Sequence, residues 1–283
     1  MQLITRRRML HMMAAGTGAV LANTVTPVAA ACRSSQIPIG LQLYTVRNLM
    51  AEGVEKTLHL VSTAGYTQVE LAGHYDKPAA ELRRMLDREG LSAPSTHIPL
   101  DNLNESFDRV LADAIELGNR YVVLPNLREH QRTSIDDYKR LADKMNLWAE
   151  ACQKSGLQFA YHNHDYEFRL LDREVPYDIL LNRTDPSAVL LQLDLYWATK
   201  AGKDPVKMFA EFPGRFPLWH VKDMATDGSI ADVGAGVIDF RRIFAATELA
   251  GLRYSFIEHD NTTNPQSTIH NGLAAAKSMA ACG

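Results

Sequence analysis

From residue 37 onward, short apolar runs alternate with longer stretches in which apolar positions recur every three or four residues. Eight of the runs predict strands, at 39–44, 67–72, 93–98, 121–125, 158–162, 189–194, 217–222 and 254–258. Several are apolar almost throughout, the pattern of parallel strands covered on both faces. The helices between them are also legible. Ile135, Tyr138, Leu141, Met145, Trp148 and Cys152 fall on one helical face, with Ser134 and Asp137 in capping-box positions ahead of it. Phe107, Val110, Leu111, Ala114 and Leu117 make a second stripe. Gly65, Gly90, Gly118, Gly156 and Gly251 each stand between a helix and a strand, where a left-handed cap is needed.

The last inward-pointing polar residue of each strand that has one forms a ladder: Gln42, Glu70, His97, His162, Asp194, His220 and Glu258. Its steps are 28 and 27 residues, then 32, 26 and 38, and the gap of 65 in the middle holds the fourth strand. A repeat of about 30 residues, eight times over, predicts an α/β (β/α)8 TIM barrel. The alternative, a doubly wound open sheet, wants a Gly-rich phosphate turn after its first strand, and Gln42-Leu43-Tyr44-Thr45-Val46-Arg47 offers none. No linker or low-complexity stretch interrupts residues 37–283, which read as one domain.

Composition narrows the class. With 283 residues, 46% apolar and 22% charged, the chain is neither disordered nor a small disulfide scaffold. The formal charge is -3, and the first 31 residues hold Arg6, Arg7 and Arg8 with no acid, so the remainder carries -3 - 3 = -6. An acidic body argues against nucleic acid as partner, because phosphate contacts need a cationic face. Cys32, Cys152 and Cys282 are too few for a disulfide framework and lack metal-site spacing.

Thr5-Arg6-Arg7-Arg8-Met9-Leu10, a weakly apolar stretch and small residues up to Ala31 resemble a twin-arginine export signal over 1–31, followed by a short leader at 32–36. The expected location is the periplasm. Ala29-Ala30-Ala31-Cys32 is a poor lipoprotein acceptor, and membrane contact is expected only if Cys32 is lipidated.

Four consecutive strands end in metal-ligand residues: His162, Asp194, His220 and Glu258. In a barrel the C-terminal strand ends form the working face. Converging there without compensation, these groups would repel or be poorly solvated. One divalent cation (Mn, Zn, Co, Fe or Mg) resolves this by taking imidazole nitrogen and carboxylate oxygen together.

The segments GLQLYTVR (40–47), GYTQVELAG (65–73), YHNHDYEF (161–168), LQLDLYW (191–197), HVKDM (220–224), DVGAGVIDF (232–240) and IEHD (257–260) resemble the xylose isomerase-like TIM-barrel superfamily, the sugar phosphate isomerase/epimerase group. The resemblance implies one divalent metal at the barrel mouth. Epimerases of the group hold it with Glu, Asp, His and Glu, of which the last three match Asp194, His220 and Glu258. The first falls on His162 and departs from the pattern. Two opposed glutamates act as acid and base in those epimerases, so the departure puts a symmetrical mechanism in doubt. His162-Asn163-His164 is similar instead to inosose dehydratases of the superfamily, and His164 is either a ligand or a substrate-facing group.

Glu258 is the first candidate to take the substrate proton. Weaker candidates complete the site: Glu70 and His97 are further candidate acid/base groups, and Lys222 is a candidate for holding an enolate or hydroxyl, with an ion pair to Asp223 or Glu258 as its structural alternative. Gln42, Tyr44, Tyr196 and Trp197 are candidate sugar-pocket residues. The expected activity is metal-dependent isomerisation or epimerisation of a non-phosphorylated carbohydrate by proton abstraction beside a carbonyl. The alternatives are a lyase or dehydratase on a 3-keto sugar, keto-glycoside or ketocyclitol, and a carbohydrate-binding accessory subunit without turnover.

Overall fold

A computed structural model describes residues 38–281. The eight apolar runs become parallel strands: β1 (Ile39–Gln42), β2 (Gln68–Leu71), β3 (Ser92–His97), β4 (Tyr121–Leu124), β5 (Gln158–His162), β6 (Val189–Asp194), β7 (Leu218–Val221) and β8 (Tyr254–Ile257). Each pairs with its sequence neighbours, and β1 pairs with β8 to close the barrel. Strand and helix alternate around the ring, so this is the (β/α)8 barrel and not the open sheet. The strands stop up to two residues short of their expected C-terminal ends. At β1 the reason is visible: Gln42 Oε1 accepts the Tyr44 N–H, and the chain turns at once into a short 3-10 helix.

The helical expectations hold in detail. Helix Ile135–Lys154 starts at a reciprocal capping box in which Ser134 and Asp137 each bind the other's main-chain N–H. The five glycines expected to end helices all take positive φ, from 65° to 96°. The main apolar core lies between strands and helices, and buried Cys152 belongs to it as a free thiol.

A second, smaller apolar cluster of Tyr121, Val123, Ala160, Leu218 and Phe256 floors the barrel interior. Gly40 gives the Phe256 ring its space, since a Cβ there would come within 2.7 Å of it. Above this floor the inward side chains become polar, at Gln42, Glu70, Ser95, Gln192 and His220, all 0% exposed. Among the described residues, no helix is long and apolar enough to cross a membrane.

Candidate metal centre

Period-two alternation carries the polar ladder into the barrel mouth. His162 and Asp194 are the last residues of β5 and β6, His220 lies within β7, and Glu258 follows β8. One donor atom from each of the four lies within 4.8 Å of all the others, and all four residues are buried. His220 Nδ1 is 2.8 Å from Glu258 Oε2, 3.1 Å from His162 Nε2 and 3.8 Å from Asp194 Oδ2. Donors around one divalent cation have similar separations, about 3–4 Å for metal–ligand bonds of about 2.0–2.2 Å. Asp194 Oδ2 accepts no hydrogen bond although it is buried and only 3.1 Å from Lys222 Nζ. A buried carboxylate oxygen left without a hydrogen-bond donor is costly. The mixed imidazole and carboxylate donors suit a transition-metal dication, so the residues fit the group the sequence implied.

Glu70, His97 and His220 form a second close group, but its acceptors are already occupied. Glu70 Oε1 accepts from Ser95 Oγ and Gln192 Nε2, and Oε2 accepts from Gln42 Nε2 and His220 Nε2. Burial opposes charge on Glu70, but His97 and His220 outweigh it and hold the carboxyl far below its ordinary range. His220 donates Nε2–H to Glu70 at 2.6 Å and turns Nδ1 toward the four-residue cluster. Burial opposes its charge, but Glu258 and Glu70 hold the ring well above its ordinary range, so a cation at the cluster would take the place of the Nδ1 proton. His97 stacks on His220 at 5.3 Å and is fixed by Gln192 and Gln42.

The charges are strongly coupled. Burial works against Lys222, yet Asp194, Glu258 and Asp260 hold it well above the ordinary lysine range. Its Nζ is 2.7 Å from Glu258 and 2.9 Å from Asp260. Burial likewise opposes the Glu258 carboxylate, and Lys222 with His220 holds it well below its usual range. His162 is kept neutral by burial first and by neighbouring His220 and His164 next.

Several sequence candidates take settings other than those expected. Glu70 lies beneath the mouth with both oxygens engaged, not as an open proton acceptor. Gln42 is fully buried and spends its amide on Glu70, His97 and Tyr44, so it does not line a sugar pocket. Tyr196 is 1% exposed, with its hydroxyl donating to the Gly228 carbonyl, and packs instead of presenting a face. β5 ends at His162, so strand parity no longer directs His164, whose ring packs against His162, Tyr166 and Trp197. Burial pushes the His164 imidazole down to about 4, and its Nδ1 has no partner. Trp197 also has an unpartnered ring N–H, and Tyr44 is 43% exposed at the rim. Lys222 pairs with Glu258 but not with Asp223, which instead gathers the loop that follows.

Sequence reasoning missed Ser95, Gln192, Asp260 and Glu167. Glu167 is fully buried, accepting from the Tyr161 hydroxyl at 2.6 Å and the His164 N–H at 2.8 Å. Burial pushes its carboxyl up to about 7. The unfolded chain loses this proton near 4.5, so the folded state is favoured at acid pH and loses that advantage as pH rises from 4.5 through 7. Glu167→Gln is expected to remove a loss of about 3 kcal/mol across that window. Melting curves from pH 5 to 8 check this, with a flatter profile in the variant.

A parallel barrel with converging His, Asp and Glu side chains at its C-terminal mouth defines a class of barrel enzyme with a candidate metal-binding cluster. A family model for the xylose isomerase-like TIM barrel matches residues 58–278, and the chain belongs to that family. It is 24% identical over 231 residues to an inosose dehydratase of Geobacillus kaustophilus, covering 68% of this chain and 74% of that protein. A crystal structure of a sugar phosphate isomerase/epimerase from Parabacteroides distasonis superposes with a TM-score of 0.71 at 26% identity, covering 84% of this chain and 94% of the other. A 3-keto-D-glucoside 4-epimerase from E. coli shares the fold, with a TM-score of 0.68 at 15% identity and coverage of 86% and 100%. The protein is thus a catalytic barrel of the sugar isomerase, epimerase and lyase class.

Proposed function

We propose that this protein isomerises or epimerises a non-phosphorylated keto sugar by proton abstraction beside the carbonyl, with one divalent ion held by His162, Asp194, His220 and Glu258. The observation that carries this reading is the buried four-residue cluster, in which Asp194 Oδ2 accepts no hydrogen bond and is matched only by the charge of Lys222. When bound, such an ion polarises a substrate carbonyl and acidifies the adjacent C–H.

The remaining roles fall to the protein. Glu258 is the proton acceptor: Oε2 is occupied by His220 and Lys222, which leaves Oε1 for the substrate proton. Lys222, kept protonated by three carboxylates, faces negative charge developing on a substrate oxygen. Glu70 and His97 are positioning residues that fix the His220 tautomer and ring plane. His164, Trp197 and Tyr44 surround the substrate.

A second reading, a lyase or dehydratase, is favoured by His162. A neutral imidazole where the epimerases carry a carboxylate leaves one carboxylate base instead of two, enough for removing a proton and expelling a β-substituent. Turnover of keto sugars in D2O separates the two. Deuterium uptake with the carbon skeleton and all substituents retained supports isomerisation or epimerisation, whereas release of water or an aglycone establishes the lyase. Absence of any exchange by the metal-loaded protein, for any keto sugar, contradicts both and leaves the accessory-subunit alternative.

The export reading rests on Arg6-Arg7-Arg8 and the small residues after them, which lie outside the described residues. On this reading the chemistry takes place in the periplasm. Cell fractionation tests it: a double Arg6→Lys, Arg7→Lys variant remains unprocessed in the cytoplasm, while unchanged export would reject the twin-arginine route.

A further inference from the structure

A cavity opens at the same end of the barrel as the cation cluster. It is a cleft of about 600 Å³ between the segment that follows β1 and the loop that follows β2. Tyr44, Arg47, Ala51 and Val54 line it from the first segment, and Ala72 and Tyr75 from the second. Its volume falls within the range of small-molecule sites, about 300–1,000 Å³. The cleft is tied to the mouth through the main chain beyond Glu258, since Arg47 Nη2 donates to the Asp260 carbonyl at 2.6 Å. The Asp260 side chain in turn holds Lys222. Asp260 thus links a wall of the cleft to the Lys222–Glu258 pair.

The lining states what the cleft takes. Arg47 stacks on the Tyr44 ring, 4.2 Å from its centroid, and the tyrosine remains 43% exposed. An exposed, braced aromatic ring is a stacking platform for a sugar or aromatic ring. The cations at the cleft are committed elsewhere. Arg47 donates to the main-chain carbonyls of Tyr44 and Asp260, and Lys77 pairs with Glu81 at 2.9 Å. Asp76 adds a negative charge. The Arg47 guanidinium keeps its charge, but both of its Nη groups are already hydrogen-bonded to carbonyls and Asp76 opposes it, so a phosphate meets a weak site, whereas a neutral ring meets an aromatic face and small apolar side chains. Tyr75 and Asp76 hold φ of 53° and 57°. Two adjacent non-glycine residues in the left-handed region are costly, and such strain gathers at ligand sites.

We propose that the cleft is the subsite for a neutral ring attached to the reacting sugar, so that the substrate is a keto-glycoside and not a free monosaccharide, a ketocyclitol or a sugar phosphate. This inference rests on the reading of the cation cluster as a keto-sugar site. Within that reading, the aglycone or second sugar unit stacks on Tyr44 while the keto ring lies at Glu258.

Two measurements test it. The first is calorimetric binding of a 3-keto-glucoside carrying a glucosyl or phenyl group, beside the free 3-keto-hexose and its phosphate ester. The second is solvent-deuterium exchange of the same compounds by the metal-loaded enzyme. The glycoside is expected to bind about tenfold or more tightly than the free sugar, the scale of one good stacking contact. Ala51→Trp, which fills the cleft from an exposed position, should erase that advantage while binding of the free sugar stays within about twofold. Tyr44→Ala should reduce it in the same direction.

Equal binding of glycoside and free sugar overturns the proposal, as does an advantage that survives Ala51→Trp or tighter binding of the phosphate ester. If exchange occurs without any glycoside preference, the subsite is wrong and the keto-sugar reading stands. If the glycoside binds through the cleft but no compound exchanges, the catalytic reading fails and the subsite remains.

Discussion

Asp194→Ala is expected to lower turnover by at least about a thousandfold and to abolish binding of the divalent ion, because it removes a donor at the centre of the cluster. Asp194 performs two tasks. Its Oδ2 has no hydrogen-bond donor and points among His162, His220 and Lys222, while its Oδ1 caps the following helix by accepting the Trp197 N–H at 2.9 Å. Asp194→Asn retains the cap, so it separates the loss of the ion from loosening of the Trp197 wall. Glu70→Gln provides the graded comparison. It leaves all four donors in place but weakens the grip on His220 Nε2, and its expected cost is about 10–100-fold in metal affinity. Dissociation constants measured by metal-competition titration check the series. Equal metal affinity in wild type and Asp194→Ala would contradict the assignment of the cluster.

Asp223→Ala is expected to destabilise the fold by about 4 kcal/mol, a fall of about 8–16 °C in Tm for a chain of this size. The reason lies in the loop that leaves β7. Asp223 is 1% exposed and accepts four main-chain N–H groups, from Met224, Gly234, Gly236 and Ile238, at 2.8 to 3.2 Å. One carboxylate thus gathers both ends of the segment from Met224 to Ile238, next to Lys222 in sequence. The loop is held a second time where Tyr196 donates to Gly228, so the variant should keep the barrel and lose the order of this rim. Circular dichroism during thermal unfolding checks it, with protease sensitivity near Gly234 as a local readout. A Tm within about 2 °C of wild type would contradict this account of the loop.

The barrel was legible in the sequence because each parallel strand is an apolar run and each helix an amphipathic stripe, so two periods alternate along the chain. The mouth was legible for a related reason: His162, Asp194, His220 and Glu258 end or follow consecutive runs, and parity turns them inward. Parity also limited the reading. Taking only the last inward polar residue of each strand passed over Ser95 and Gln192, two residues earlier on β3 and β6, although the same alternation turns them into the barrel. Without them Glu70 looked free to exchange a proton, and its role as the brace of His220 was hidden. Beyond the strand ends, alternation carries no information. His164, Tyr196 and Asp260 lie there, and only packing decides that Tyr196 turns inward under Gly228 while Asp260 joins Lys222. Glu167 sits in a polar run that reads as surface, and its burial against Tyr161 comes from the way the loop after β5 folds back.

The central claim is that four side chains at the barrel mouth hold one metal ion that the chemistry requires. Elemental analysis of residues 32–283, purified without chelator or nickel affinity, tests it most directly. The account predicts about one divalent ion per chain in the wild type, as expected for a single cluster of four ligands, and none in Asp194→Ala. A folded wild-type barrel that carries no ion and takes up none on reconstitution with Mn, Zn, Co, Fe or Mg would contradict it.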